Sequence, residues 1–180
     1  MWEPFKKLFP RFSQAEHPYP TDQRPKYHDE PTAYTIRFGK SVPVDDAFQA
    51  WTSGDLDRML HALSTKTNLI DRHFLLLGIV QQTYNRRSDP KMAEICAQIA
   101  ELHLAEFAKI APALQQDLGI MPRVPTFQHY ATLLTERGDY YRAIKVCQQA
   151  LSFQLEDGTK TGFEGRIERI RKKRTKQEST

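Results

Sequence analysis

FQHYATLLTERGDYYRAIKVCQQALSFQL, residues 127–155, is the stretch whose reading decides the fold. It divides into two helices at Gly138-Asp139. Glycine enters the left-handed conformation that closes a helix without steric cost, and an aspartate just after it offers a carboxylate to the orphan N–H groups that open the next helix. Before the turn Phe127, Ala131 and Leu134 recur at spacings of three and four, and after it Ala143, Cys147 and Ala150 do the same. Alanines at 131, 143 and 150 let two helix backbones come close, while Leu134 and Tyr140 fill the space beside them. The pattern predicts a tight hairpin of helices over 126–137 and 140–155, with those three alanines buried at the crossings.

Outward from this hairpin the signals stay helical. Asp89-Pro90 is a capping residue followed by proline at the first helical position, a strong start. It opens a long apolar stripe of Met92, Ile95, Cys96, Ile99, Leu102, Leu104, Phe107 and Ile110, which Gly119, Pro122 and Pro125 bring to an end. Upstream, Asn68 caps a helix over 69–86 whose Ile70, Phe74, Leu77, Gly78 and Val80 fall on one stripe. Asp45 and Asp46 cap a short helix through Trp51, Gly54 closes it, and Asp55 opens another with Leu56, Met59, Leu60 and Leu63. Downstream, a last helix runs over 162–173. Alternation with period two is absent over any useful length, so the chain reads as all-α.

Residues 127–155 resemble a tetratricopeptide repeat. Phe127 takes the repeat's bulky first position and Tyr130-Ala131 stands where the family has Leu-Gly or Leu-Ala. Leu134 holds the aromatic position of the first helix, Gly138-Asp139-Tyr140 matches the Gly-Asp-Tyr turn, and Ala143, Cys147 and Ala150 follow as small, bulky and small residues; Leu155 replaces the closing proline. An eroded copy lies upstream, with Phe74 and Leu77-Gly78 as its first half and Ala93, Ala97 and Ala100 as its second, across a turn about three residues longer. A fainter echo is Trp51–Leu56, with Gly54-Asp55 at its turn. Such repeats bury a continuous core only by stacking, and about three units are needed. The resemblance implies a right-handed stack of antiparallel helical hairpins, with a groove lined by the first helix of each pair. It points to a protein–protein interaction module that takes a protein or peptide partner there. The polar positions between packing residues that face such a groove are Gln82, Asn85, Gln128, His129, Thr132 and Thr135.

The flanks differ in composition. Seven of the eleven prolines fall within the first 43 residues, too densely for a long helix, yet that stretch also carries eight aromatic rings from Trp2 to Phe38. Disordered tails are poor in aromatics, so 1–43 reads as an extended arm pinned through its rings onto helices of its own chain or of a second copy, with one short strand over 34–38; a free, partner-binding arm is the competing reading. The helical repeat domain then spans 44–157, and 158–180 forms a capping helix with a basic tail. Between 158 and 180 eight Lys or Arg face three Glu, a net +5 against +4 for the whole chain. A solvated helix end accounts for this charge; the alternative is a nucleic-acid-associated protein that contacts phosphate through Arg166, Arg169, Lys172 and Lys173.

Other chemistry finds little support. Gly39-Lys40-Ser41 ends like a phosphate-binding loop, but the glycine that loop requires five residues earlier is Tyr34. Asp157-Gly158-Thr159-Lys160-Thr161-Gly162 reads as a turn between two helices rather than an anion cradle. The six histidines show no metal-ligand spacing, and Cys96 and Cys147 are spaced as core residues, which suits a reducing, cytoplasmic setting. No apolar run approaches the length of a membrane helix, and the opening MWEPFKKLFP lacks the apolar core of a secretory signal. The expectation is a binding protein with no catalytic residues, no metal and no cofactor.

Overall fold

The computed structural model describes residues 33–179, and these are mostly helical. Among them a two-stranded antiparallel sheet, β1 (Tyr34–Arg37) and β2 (Lys40–Pro43), precedes seven α-helices: α1 (Asp46–Ser53), α2 (Leu56–His61), α3 (Leu69–Asn85), α4 (Pro90–Leu118), α5 (Pro125–Glu136), α6 (Tyr140–Ser152) and α7 (Gly162–Glu178). Capping chemistry sets the starts. The side-chain oxygens of Asp45, Asn68, Asp89 and Asp139 each accept from a backbone N–H two or three residues on, as does that of Asp55. At the central turn Gly138 adopts φ +80°, and the N–H of Asp139 reaches back to the Leu134 carbonyl at 2.9 Å.

Two helix ends depart from the sequence reading. α6 stops at Ser152 rather than 155, because Gln154 takes a left-handed φ of +56° and the N–H of Leu155 closes on the Ala150 carbonyl at 3.0 Å. A non-glycine residue holds this conformation because Leu155, only 5% exposed, anchors the turn in the core. α7 runs on past 173 to Glu178. α4 continues through Pro112, where a break costs more than one lost hydrogen bond: Ile110, Ala111, Ala113 and Leu114 around it are all buried.

α1, α3 and α5 are neighbours in turn, α4 packs along both α3 and α5, and α6 lies between α5 and α7. Ala131, Ala143 and Ala150 are fully buried, with Leu134 and Tyr140 almost so. α2 seats on α3 at Gly78, where a Cβ would lie 2.9 Å from the Met59 sulfur. Phe107 of α4 sits at the centre, edge-on to both Phe127 and Phe153 with centroids 5.1 and 5.0 Å away.

The stretch 34–43 is a hairpin rather than an extended arm with one strand. Its two turn residues, Phe38 and Gly39, both have positive φ (53° and 71°), as a tight hairpin turn requires. It is pinned by charge and not by its rings. The Arg37 guanidinium grips Asp71 of α3 at 2.5 and 3.3 Å, and the Phe38 N–H donates to the Asp117 carboxylate of α4. Tyr34, Ile36 and Phe38 point outward, with Tyr34 61% exposed. The expected contacts of Trp2 to Tyr27 lie outside the described residues.

Candidate functional site

Three side-chain ties cross one face of the helical body, joining α1 to α3, α3 to α5 and α5 to α7. Gln82 on α3 donates its amide to the Gly54 carbonyl at the end of α1 (2.5 Å). One residue earlier, Gln81 accepts from His129 Nε2 on α5 (3.0 Å). One turn further along α5, Thr132 Oγ1 accepts from Arg166 of α7 (3.1 Å). Gln82, His129 and Thr132 therefore fall along α1, α3, α5 and α7 in order.

The middle of this face is aromatic and cationic. The His129 and Tyr84 rings stack with centroids 4.0 Å apart and planes 20° from parallel, and the Arg87 guanidinium lies over the Tyr84 ring at 4.1 Å. Arg87 is also held by a fork of hydrogen bonds from its Nε and Nη2 to Glu136 (2.9 and 3.0 Å). Burial, reinforced by the charges of Arg123, Arg87 and Arg166, lowers the His129 pKa to about 4. The ring is thus neutral at physiological pH. Its Nε2–H goes to Gln81, which leaves Nδ1 an acceptor.

At the α7 end an ion pair with little exposure sets the geometry. Arg166 contacts Asp157 Oδ2 through Nε and Nη2 (3.1 and 3.0 Å), and the Asp157 side chain has no exposed area. Thr159 gives its N–H and hydroxyl to Asp157 Oδ1 (2.9 and 2.6 Å). Burial alone opposes the Asp157 charge, but these donors outweigh it and hold the carboxyl below the usual carboxylate range. Arg123 links the turn to α5 through the Asp157 carbonyl (2.8 Å) and the Gln128 side chain (2.6 Å).

The residues expected from sequence separate accordingly. Gln128, Thr132 and Arg166 meet through Arg123 and Asp157, while His129 and Asn85 meet through Gln81, whose amide reaches Asn85 at 3.3 Å. Gln82 leans toward α1, and the Thr135 hydroxyl turns back onto the Ala131 carbonyl (2.6 Å). Arg166 is engaged by its own chain and is no free cation. Arg169 bonds Thr161 at 3.0 Å, whereas Lys172 and Lys173 lie on the exposed side of α7. Gln81, Tyr84, Arg87 and Arg123 complete the face and were not singled out by sequence, while Asp157 was read only as part of a turn. The one available signal was spacing, since Gln81 and Tyr84 in the last turns of α3 and Arg87 just beyond its end recur every three residues.

The other sequence candidates lead elsewhere. Lys40 and Ser41 lie in strand β2, and the Thr159 N–H that an anion would need is taken by Asp157. Among the described residues no group of three or more His, Cys, Asp or Glu is arranged to hold a metal, and no helix is long and apolar enough to cross a membrane. Burial raises the thiol pKa of both Cys96 and Cys147, the latter to about 12, so neither is a ready nucleophile. The face offers hydrogen-bonding groups, a stacked ring pair and positive charge. Comparison of the chain with known protein families, with curated proteins and with solved structures gives no match.

Proposed function

We propose that this chain is a tetratricopeptide-like interaction module that takes a peptide segment of a protein partner across the face of α3 and α5. The observation that carries the reading is the Gln81–His129–Tyr84 cluster. These polar and aromatic side chains from α3 and α5 are partly exposed beside Asn85. A rigid backbone beneath and adaptable amides with a stacked ring pair above suit recognition of a peptide backbone and one planar or apolar side chain. The surrounding Arg87, Arg123 and Arg166 favour a segment with acidic character, although each is partly neutralised or engaged within the chain.

The test is selection of peptides from a random displayed library on the immobilised full chain, followed by titration of synthetic copies. Expected are peptides of micromolar affinity that bind at least tenfold more weakly to Gln81→Ala and His129→Ala. If no sequence is enriched and the chain instead binds single-stranded nucleic acid with a steep salt dependence, the reading gives way to phosphate contact by α7.

A further inference from the structure

We propose that the buried chain His73–His103–Thr126 makes the junction of α3, α4 and α5 acid-labile, a pH-sensitive latch inside the helical body. His73 of α3 is 1% exposed, and both His103 of α4 and Thr126 of α5 are fully buried. His73 Nδ1 lies 3.0 Å from His103 Nε2, and His103 Nδ1 lies 2.9 Å from Thr126 Oγ1. Phe74 and Phe107 close around the rings, with centroids 5.1 Å from His73 and 5.9 Å from His103 respectively. His73 Nε2 is buried without a hydrogen-bond partner.

This geometry admits two protons and no third. One proton occupies the contact between the two rings, since two N–H groups pointing at each other there would clash. A second sits either between His103 and Thr126 or on His73 Nε2. A third must put an N–H on His73 Nε2, where it finds no acceptor, and leaves a positive charge in the core. The charged surroundings do not help. Arg72 of α3 is the ionised group whose field reaches His103, and it disfavours another cation. Arg72 is itself held by Glu106 of α4 at 2.9 Å, so that carboxylate is already engaged. Asp71 is saturated by Arg37 of the hairpin, Trp51 of α1 and Asn68. α5 contributes the uncharged Thr126.

Burial accordingly lowers the His73 pKa to about 4 and that of His103 well below its ordinary value of 6.5. In the unfolded chain both rings titrate near 6.5. The unfolded state therefore binds more protons as pH falls below that value, and stability is lost on acidification. For His73, held near 4, the unfolding equilibrium constant rises by about 30-fold between pH 7.5 and 5, and His103 adds to this in the same direction. Because Thr126 lies in the first turn of α5, loss of the chain loosens the helix that carries His129 and Thr132. The latch stands on these three residues and does not depend on what the outer face binds.

The test is urea unfolding of the full chain at pH 7.5 and pH 5, compared with His73→Leu/His103→Gln and with His129→Gln. His129 is likewise lowered to about 4, so its variant serves as the comparison for one such ring outside the latch. The expected result is an unfolding constant that rises with acid in the wild-type protein, by about 30-fold less in His129→Gln and by clearly more than 30-fold less in the double variant. Equal acid dependence in the double variant and the wild type overturns the proposal. Should the double variant not fold, imidazole nitrogen signals of the wild-type protein decide. The two rings in contact with Phe107 are expected to stay neutral until unfolding begins, and their titration near 6.5 in the folded protein contradicts the latch.

Discussion

Replacing Asp157 by asparagine isolates the interaction that docks the last helix. The change preserves size and leaves one oxygen for Thr159, but it puts an NH2 group where Asp157 Oδ2 now receives Arg166 at 3.0 and 3.1 Å. Two charge-assisted hydrogen bonds are lost, each worth about 1.5–3 kcal/mol. Arg166, 15% exposed at its side chain, recovers part of this by turning an edge to water, whereas Asp157 has no exposure at all. The net cost is about 2–4 kcal/mol. For a body of this size that lowers the melting temperature by about 5–15 °C. Calorimetry of Asp157→Asn, Arg166→Met and the double variant gives the coupling directly, expected at about 1.5 kcal/mol or more. The sign with pH follows from the lowered Asp157 carboxyl. Its stabilisation is present above the ordinary carboxylate range and is lost as pH falls below that range and through the lowered Asp157 pKa, so the gap between wild type and Asp157→Asn closes in acid. Single variants within about 0.5 kcal/mol of wild type, and no coupling between them, would refute the reasoning.

Three further outcomes follow from the packing. Asp71→Asn removes the carboxylate that receives Arg37, Trp51 and Asn68; it is expected to cost about 2–4 kcal/mol in urea unfolding and to make the 34–43 hairpin sensitive to protease. Ala143→Leu overpacks a fully buried crossing of α5 and α6, lowering stability by about 1–3 kcal/mol, and an unchanged melting temperature contradicts the close approach. Because burial keeps both thiols protonated, Cys96 and Cys147 are expected to resist alkylation at pH 8 in the folded chain and to react promptly once it is denatured.

Local chemistry made much of the fold legible. Asp45, Asp55, Asn68, Asp89 and Asp139 announce helix starts because a short side-chain oxygen satisfies orphan N–H groups wherever it stands, and each caps its helix here. Ala131, Ala143 and Ala150 announce close crossings because only small residues permit them. The end of α6 was not legible: Gln154 is no helix terminator by itself, and its left-handed backbone is imposed by where Leu155 is buried. The hairpin was hidden for a similar reason. Its anchor is Arg37 on Asp71, 34 positions away, and its apolar side faces outward, so the usual alternation of strand residues has the wrong sense. The candidate face divides in the same way. His129 and Thr132 stand out as polar residues between packing positions, but Arg166 looked like a loose cation because its partner Asp157 sits in a turn whose sequence shows no pairing. The His73–His103 contact links helices 30 positions apart and leaves no trace in spacing.

The central claim is that the face of α3 and α5 binds a peptide, and the most direct measurement compares a selected peptide's affinity for variants on this face and away from it. Titration calorimetry with the full chain, Gln81→Ala, His129→Ala and Lys172→Ala at 50 and 200 mM salt gives the comparison. At least a tenfold loss is expected for Gln81→Ala and His129→Ala, with little change for Lys172→Ala and modest dependence on salt. Affinity unaffected by Gln81→Ala and His129→Ala, yet reduced by Lys172→Ala and falling steeply with salt, would contradict it.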